Sequence, residues 1–156
     1  MTKLNPHATR RALVLGARSA IAEAIAQRLA QDGWDLVLAA RASDSLEPVA
    51  ADLRLRTDRS IHLLDFDALD MDGHESLAQR VRTEAGEFHL VICVFGHMGD
   101  ADEERQKTAQ MLQTLTTNFT AAAVCLAHIA NDFEARGEGG IIGISSVAGD
   151  RGRQSN

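Results

Sequence analysis

The sequence predicts an α/β fold built on a doubly wound parallel sheet of five strands, on three observations. Apolar runs of strand length alternate with helix-spaced segments along the chain. The runs are apolar throughout, as in Asp35-Leu-Val-Leu-Ala-Ala40, which is the pattern of strands covered on both faces. Glycines stand where elements end, at Gly16, Gly33 and Gly86. Strands separated by helices imply right-handed crossovers, and in such sheets ligands bind beyond the carboxyl ends of the strands, near the switch point.

The first unit is Arg11-Ala-Leu-Val-Leu-Gly-Ala-Arg-Ser-Ala-Ile-Ala-Glu-Ala-Ile-Ala-Gln-Arg-Leu29. Ala12 to Leu15 reads as a strand, and from Ala20 onward Ile21, Ala24, Ile25, Arg28 and Leu29 fall at helical spacing. Gly16, the only glycine between them, stands where a residue without Cβ lets the backbone bend sharply and lie close to a ligand. A phosphate could rest on the free N–H groups at the helix start. Gly33 caps this helix and Asp35–Ala40 is the second strand.

Ser43-Asp-Ser-Leu-Glu-Pro48 offers cap residues and a first-turn proline for a second helix through about Arg56. Ser60-Ile-His-Leu-Leu-Asp65 is the third strand. Asp72 or Gly73 opens a third helix that Gly86 closes, and Phe88 to Phe95 is the fourth strand. A long helix runs from about Asp102 to Arg136, and Gly139 to Ser146 is the fifth strand. The informative residues therefore follow the strands: Gly16 to Ala22, Arg41, Asp65 to Asp67, Gly96 to Asp100, and Ser145 to Asp150.

With 156 residues and no internal repeat or linker, one domain is expected over residues 1–156. The formal charge of −6 gives no general attraction to nucleic acid or to anionic membranes, so neither is expected as a partner. Cys93 in an apolar run and Cys125 on an alanine-rich helix read as buried thiols in a reducing compartment. The N-terminus lacks the apolar core of a signal peptide and no run reaches membrane-spanning length, so the cytoplasm is expected. No metal site is expected.

The residues now carry a resemblance. The chain resembles the short-chain dehydrogenases/reductases, a Rossmann-fold family that uses a nicotinamide dinucleotide, over essentially its whole length. The family's turn is Thr-Gly-x-x-x-Gly-x-Gly. Here Leu15-Gly16-Ala-Arg-Ser-Ala20-Ile21-Ala22 keeps the first glycine and the isoleucine and places alanine at the other two, as divergent members do. The resemblance implies that Gly16, Arg18, Ser19, Ala20 and Ile21 hold the cofactor's phosphates, in a tighter space than the standard motif leaves.

At the end of the second strand an acidic residue would bind a ribose 2′-hydroxyl, and an arginine a 2′-phosphate. Arg41 follows Ala40 there, while Asp35 lies at the wrong end of the strand. A guanidinium pairs bidentately with a phosphate, so Arg41, supported by Arg18, favours NADP(H) over NAD(H). Asp65 matches the family's aspartate beside the adenine, with Phe66 next to it, and Gly96 matches the last glycine of the family's Asn-Asn-Ala-Gly. This chain has Cys93-Val94-Phe95-Gly96, so both asparagines are absent and their structural hydrogen bonds must be made otherwise. His97 follows without a partner in the sequence and reads as an incidental loop residue.

Asn118 falls where the family places an asparagine that organises a proton relay, and an inward-facing asparagine on an alanine-rich helix suits a polar task. Gly140-Ile-Ile-Gly-Ile-Ser-Ser-Val-Ala-Gly149 resembles the segment of the family's catalytic serine, which puts Ser146 in that role and Ser145 on the other side of the strand. The family's Tyr-x-x-x-Lys pair should follow. The sequence has no tyrosine, and Lys3 and Lys107 stand in no such motif. The expectation is a C-terminally incomplete enzyme with five of the usual seven strands, inactive by itself, whose whole form transfers hydride between the nicotinamide and an alcohol or carbonyl substrate; the alternative is a catalytically inactive module that binds a dinucleotide or regulates. The long helix, with Met111, Leu115, Phe119, Val124, Leu126 and Ile129, has more apolar surface than one sheet face covers. In resembling proteins the matching helix packs on its copy, so a homodimer or homotetramer is expected.

Overall fold

A computed structural model describes residues 10–100 and 106–152. Five parallel strands form one sheet in the order β3-β2-β1-β4-β5. They are β1 (Arg11–Leu15), β2 (Asp35–Ala40), β3 (Ile61–Asp65), β4 (Leu90–Cys93) and β5 (Gly140–Gly143). β1 sits centrally, with Arg11 in register with Asp35 on one side and Ala12 with Leu90 on the other. The order reverses at β1, since β2 and β3 run off one flank and β4 and β5 off the other. This creates the crevice that open α/β sheets use for ligands.

The helices cover both faces. Helix α1 (Ala20–Gln31) and helix α2 (Glu47–Thr57) pack on one face. There Ala22, Ala26 and Ala30 let α1 lie close on Ala12, Val14, Leu36 and Leu38. Helix α3 (Asp72–Ala85) and a long helix after β4 cover the other, where Leu13, Leu15, Val37 and Val91 meet Leu77, Val81, Cys125 and Ile129. Full burial of such leucines and valines stabilises by roughly 1.5–3 kcal/mol each, which is why both faces of β1 and β2 are apolar. Arg82 of α3 pairs with Asp132 at 2.5 Å, and Arg136 pairs with Glu87 at 2.6 Å, joining the long helix to α3 and its following turn.

Several boundaries differ from the sequence expectation. β4 stops at Cys93 rather than Phe95, because Val94 to Gly96 turn over the end of β1. Phe88 precedes the strand and is fully buried against Phe133. β5 ends at Gly143, so Ser145 and Ser146 lie beyond the strand, and strand alternation does not decide their directions. The expected caps at Ser43 to Ser45 make no capping bond. Instead Ala42 turns left-handed (φ 49°) into a short 3₁₀ turn, Ser43–Leu46, that leads into α2.

The long helix is composite. Helix α4 (Thr108–Leu115) passes through a π segment, Thr116–Ala121, and continues as α5 (Ala122–Arg136). Its expected start near Asp102 lies outside the described residues. Cys125, Ile129 and Phe133 of α5 are buried on the sheet, whereas Met111, Leu115 and Phe119 are exposed. The expected uncovered apolar face is thus confined to the first part of the helix. No helix among the described residues is long and apolar enough to cross a membrane.

Candidate functional site

The turn after β1 is built tightly. Gly16 has φ +90°, and its amide and that of Ala17 both donate to the carbonyl of Ala39 at 2.9 and 3.1 Å. A Cβ on Gly16 would lie 2.6 Å from the backbone nitrogen of Phe95. The missing side chain therefore admits the backbone of the β4 loop as well as the bend. Ser19 caps α1, its Oγ accepting the amide of Ala22 at 3.1 Å. That leaves the amides of Ala20 and Ile21 without a partner among the described residues, at the positive end of a helix dipole. Two free N–H groups at a helix start fit a phosphate oxygen.

A cleft of about 430 Å3 opens above the carboxyl ends of the strands. It brings together Gly16, Arg18, Ser19, Arg41, Phe66 and Gly96 from four strand ends that lie far apart in sequence. Arg18 and Arg41 make no ion pair or hydrogen bond with the described residues, so two unpaired guanidinium groups face the cleft. Asp35 lies at the opposite end of β2, held by Arg11 at 3.3 Å and by the amide of Ser60 at 3.1 Å. Arg41 rather than an acid follows β2 itself. The carboxylates at this corner come from the β3 end: Asp67 lines the cleft, and Asp65 is in register with Ala40 and bonded to the amide of Ser43.

The floor of the cleft is aromatic. Phe66 packs between Phe95 and the buried His74, with ring centroids 5.6 and 5.7 Å away. Neither ring nitrogen of His74 makes a well-formed hydrogen bond, and burial holds its pKa below the ordinary value. Where the family carries asparagine, the Cys93 thiol accepts the amide of Phe95, and burial outweighs that bond to raise the thiol pKa to about 11. Cys125 is raised to about 12, by burial first and by the neighbouring Cys93 second. Both cysteines are free and buried.

The remaining expected residues are placed apart. Asp65 lines an adjoining cavity with Arg80 and His74 rather than the cleft itself. Its Oδ1 accepts the amide of Ser43 at 2.8 Å, and the Ser43 amide and hydroxyl together hold its pKa below the usual carboxylate value. Asn118 lies in the π segment and is exposed, not inward in the sense of being buried. It is nonetheless fully engaged, because Oδ1 accepts the amide of His97 at 2.6 Å and Nδ2 donates to the His97 carbonyl at 2.7 Å. Ser146 is exposed at the end of the β5 loop, where its Oγ accepts the amide of Ala148 at 3.2 Å and caps a short 3₁₀ turn, Val147–Gly149. Ser146 and Gly96 each stand three residues past the register pair Cys93 and Gly143, at the same end of adjacent strands.

The sequence reading missed Gln113 and Thr117, which reach the cleft from α4 and the π segment, and it set aside His97, which also lines it. The signal for His97 was its place after a strand. The π segment hides the signal for the other two, because it shifts the helical phase by a residue.

Comparison with known proteins agrees with this architecture. A family model described as short chain dehydrogenase matches residues 10–156. An uncharacterized oxidoreductase of Mycobacterium tuberculosis is 34% identical over 144 residues, which is 92% of this chain and 57% of that protein. The crystal structure of an actinorhodin polyketide ketoreductase variant with NADPH is similar over 94% of this chain and 57% of that one, with TM-score 0.83 and 25% identity. A short-chain dehydrogenase of Sphingobium yanoikuyae in complex with NADPH is similar over the same shares, with TM-score 0.77 and 28% identity. The chain thus spans little more than half the length of the relatives it matches. With a doubly wound sheet, a glycine turn under a capped helix and a sequence model matched from residue 10 onward, the chain belongs to the short chain dehydrogenase family.

Proposed function

We propose that this chain is the dinucleotide-binding part of an oxidoreductase that moves hydride between NADP(H) and an alcohol or carbonyl compound. The observation that carries the cofactor choice is the pair of guanidinium groups, Arg18 and Arg41, without an ion pair or hydrogen bond to the described residues, on a cleft where an arginine and not an acid directly follows β2. When bound, the nicotinamide supplies the hydride chemistry, and the chain's task is to bind, orient and polarise. The amides of Ala20 and Ile21 and the guanidinium of Arg18 would hold the diphosphate, and Arg41 the 2′-phosphate. Phe66 and Gly96 would flank the adenosine, and Asp65, already anchored by Ser43, would present its second carboxylate oxygen to the adenine edge.

Ser146 would hold the substrate oxygen by its hydroxyl, and Asn118 would support the proton relay. The proton donor itself is no tyrosine of these 156 residues, since the sequence has none. Two free buried thiols fit a reducing, cytoplasmic compartment. The exposed apolar residues of α4 and the π segment fit a second copy of the chain, as a homodimer or homotetramer.

Titration of the purified chain with NADPH and with NADH, followed by fluorescence, tests the cofactor assignment. NADPH should bind at least tenfold more tightly, and Arg41→Ala should abolish that preference while leaving NADH affinity unchanged. Equal affinities that Arg41→Ala does not alter would overturn it.

A further inference from the structure

The β4 loop brings a group to the cleft that the sequence reading left idle. His97 lines the cleft beside Arg18 and Ser19, and its imidazole makes no hydrogen bond with the described residues. Its backbone, in contrast, is fixed twice by Asn118, at 2.6 and 2.7 Å. The loop is also packed closely onto the β1 turn, with Phe95 filling the space that the missing Cβ of Gly16 leaves. The residue is carried to the cleft on a backbone held at two atoms, so a ligand contact made by its ring costs no further ordering of the loop at that point.

The strand order says which part of the ligand it meets. Arg41 follows β2, Arg18 and Ser19 follow β1, and His97 follows β4, while the sheet runs β3-β2-β1-β4-β5. A diphosphate resting on the central β1 turn must send one nucleoside toward β2 and the other toward β4. If Arg41 takes the 2′-phosphate, the adenosine lies on the β2 side, and the second ribose lies on the β4 side under His97.

We infer that His97 is a cofactor-contact residue that donates a hydrogen bond to the nicotinamide-side ribose or phosphate of the dinucleotide; this rests on the dinucleotide reading above. Two ligands separate the halves: NADPH, and adenosine 2′,5′-bisphosphate, which lacks the nicotinamide side. In calorimetric titration of the chain, His97→Ala should weaken NADPH about three- to tenfold, the size of one lost hydrogen bond, and leave the bisphosphate unchanged. Arg41→Ala should weaken both.

Asn118 grips the backbone of residue 97 and not its ring, so the alanine variant should keep its thermal midpoint. If it does not, His97→Phe keeps the ring bulk without the donor and should show the same selective loss. Equal weakening of both ligands, or no weakening of either, overturns the His97 assignment and leaves the dinucleotide reading standing. Failure of the unaltered chain to bind either ligand overturns both.

Discussion

Asn118 and His97, 21 residues apart in sequence, are joined by a two-point clasp in which one side-chain amide satisfies both the N–H and the C=O of a single residue. The clasp fastens the middle of the long helix to the loop that closes the cleft. Asn118, proposed above to support the proton relay, thereby shapes the site through a neighbour's backbone.

Asn118→Ala removes both bonds at an exposed place where water can replace them, so the expected cost is about 1–2 kcal/mol of global stability. The local effect should be larger. Amide exchange at His97 should quicken at least tenfold, and an unchanged exchange rate would show that the clasp does not hold the loop.

Gly16→Ala is expected to be more severe than its single methyl group implies. The residue sits at φ +90°, which alanine resists, and the new Cβ would overlap the backbone of Phe95 rather than a movable side chain. A loss of more than about 2 kcal/mol in urea unfolding is expected, together with weaker NADPH binding. A loss below about 0.5 kcal/mol would mean that the β4 loop yields easily.

His74 should make the protein sensitive to acid. Burial is the main cause that lowers its pKa from the ordinary 6.5, opposed by the carbonyls of Ala68 and Asp67 and by Asp70. The unfolded chain therefore takes up a proton more readily than the folded one. Stability is complete above about pH 6.5 and falls as the pH drops through the lowered folded value. His62 is lowered too, by burial and then by Arg11 and Arg54, so His74→Phe should reduce the slope of stability between about pH 7 and pH 5 without abolishing it. Identical slopes in both proteins would exclude His74 as a contributor.

Met111, Leu115 and Phe119 recur every four residues and remain exposed, Phe119 to 73%. If a second copy covers them, the chain should sediment as a dimer or tetramer, and Leu115→Glu combined with Phe119→Glu should sediment as a monomer of unchanged helicity. A monomeric unaltered chain would remove the oligomer proposal.

The strands and the crevice were legible because a sheet covered on both faces leaves an unbroken apolar run, and glycines mark where the chain turns away. The limits of β4 were less legible for the same reason. Phe88 and Phe95 are as apolar as the strand they flank, yet one is a packing residue and the other turns over Gly16. Arg41 could be read because its position follows directly from a strand end. Asn118 could be located only by resemblance, since the π segment around it changes which residues share a face. The contact between Asp65 and Ser43 joins residues 22 apart at the ends of neighbouring strands, and no local spacing announces it.

The placement of β1 between β2 and β4 has a consequence for how the chain is made. Its partner on one flank begins at Asp35, but on the other flank Ala12 must wait for Leu90. As the polypeptide leaves the ribosome, the β1-β2-β3 half can assemble once Asp65 has emerged, while the opposite edge of β1 stays open until β4 is synthesised. Closing a loop of that length is a slow, non-local step. The growing chain thus passes through a stage in which a half-built sheet offers an apolar edge to any passing strand. Stalled chains ending just before Leu90 should be captured by chaperones, and chains extended past Gly143 should resist protease instead.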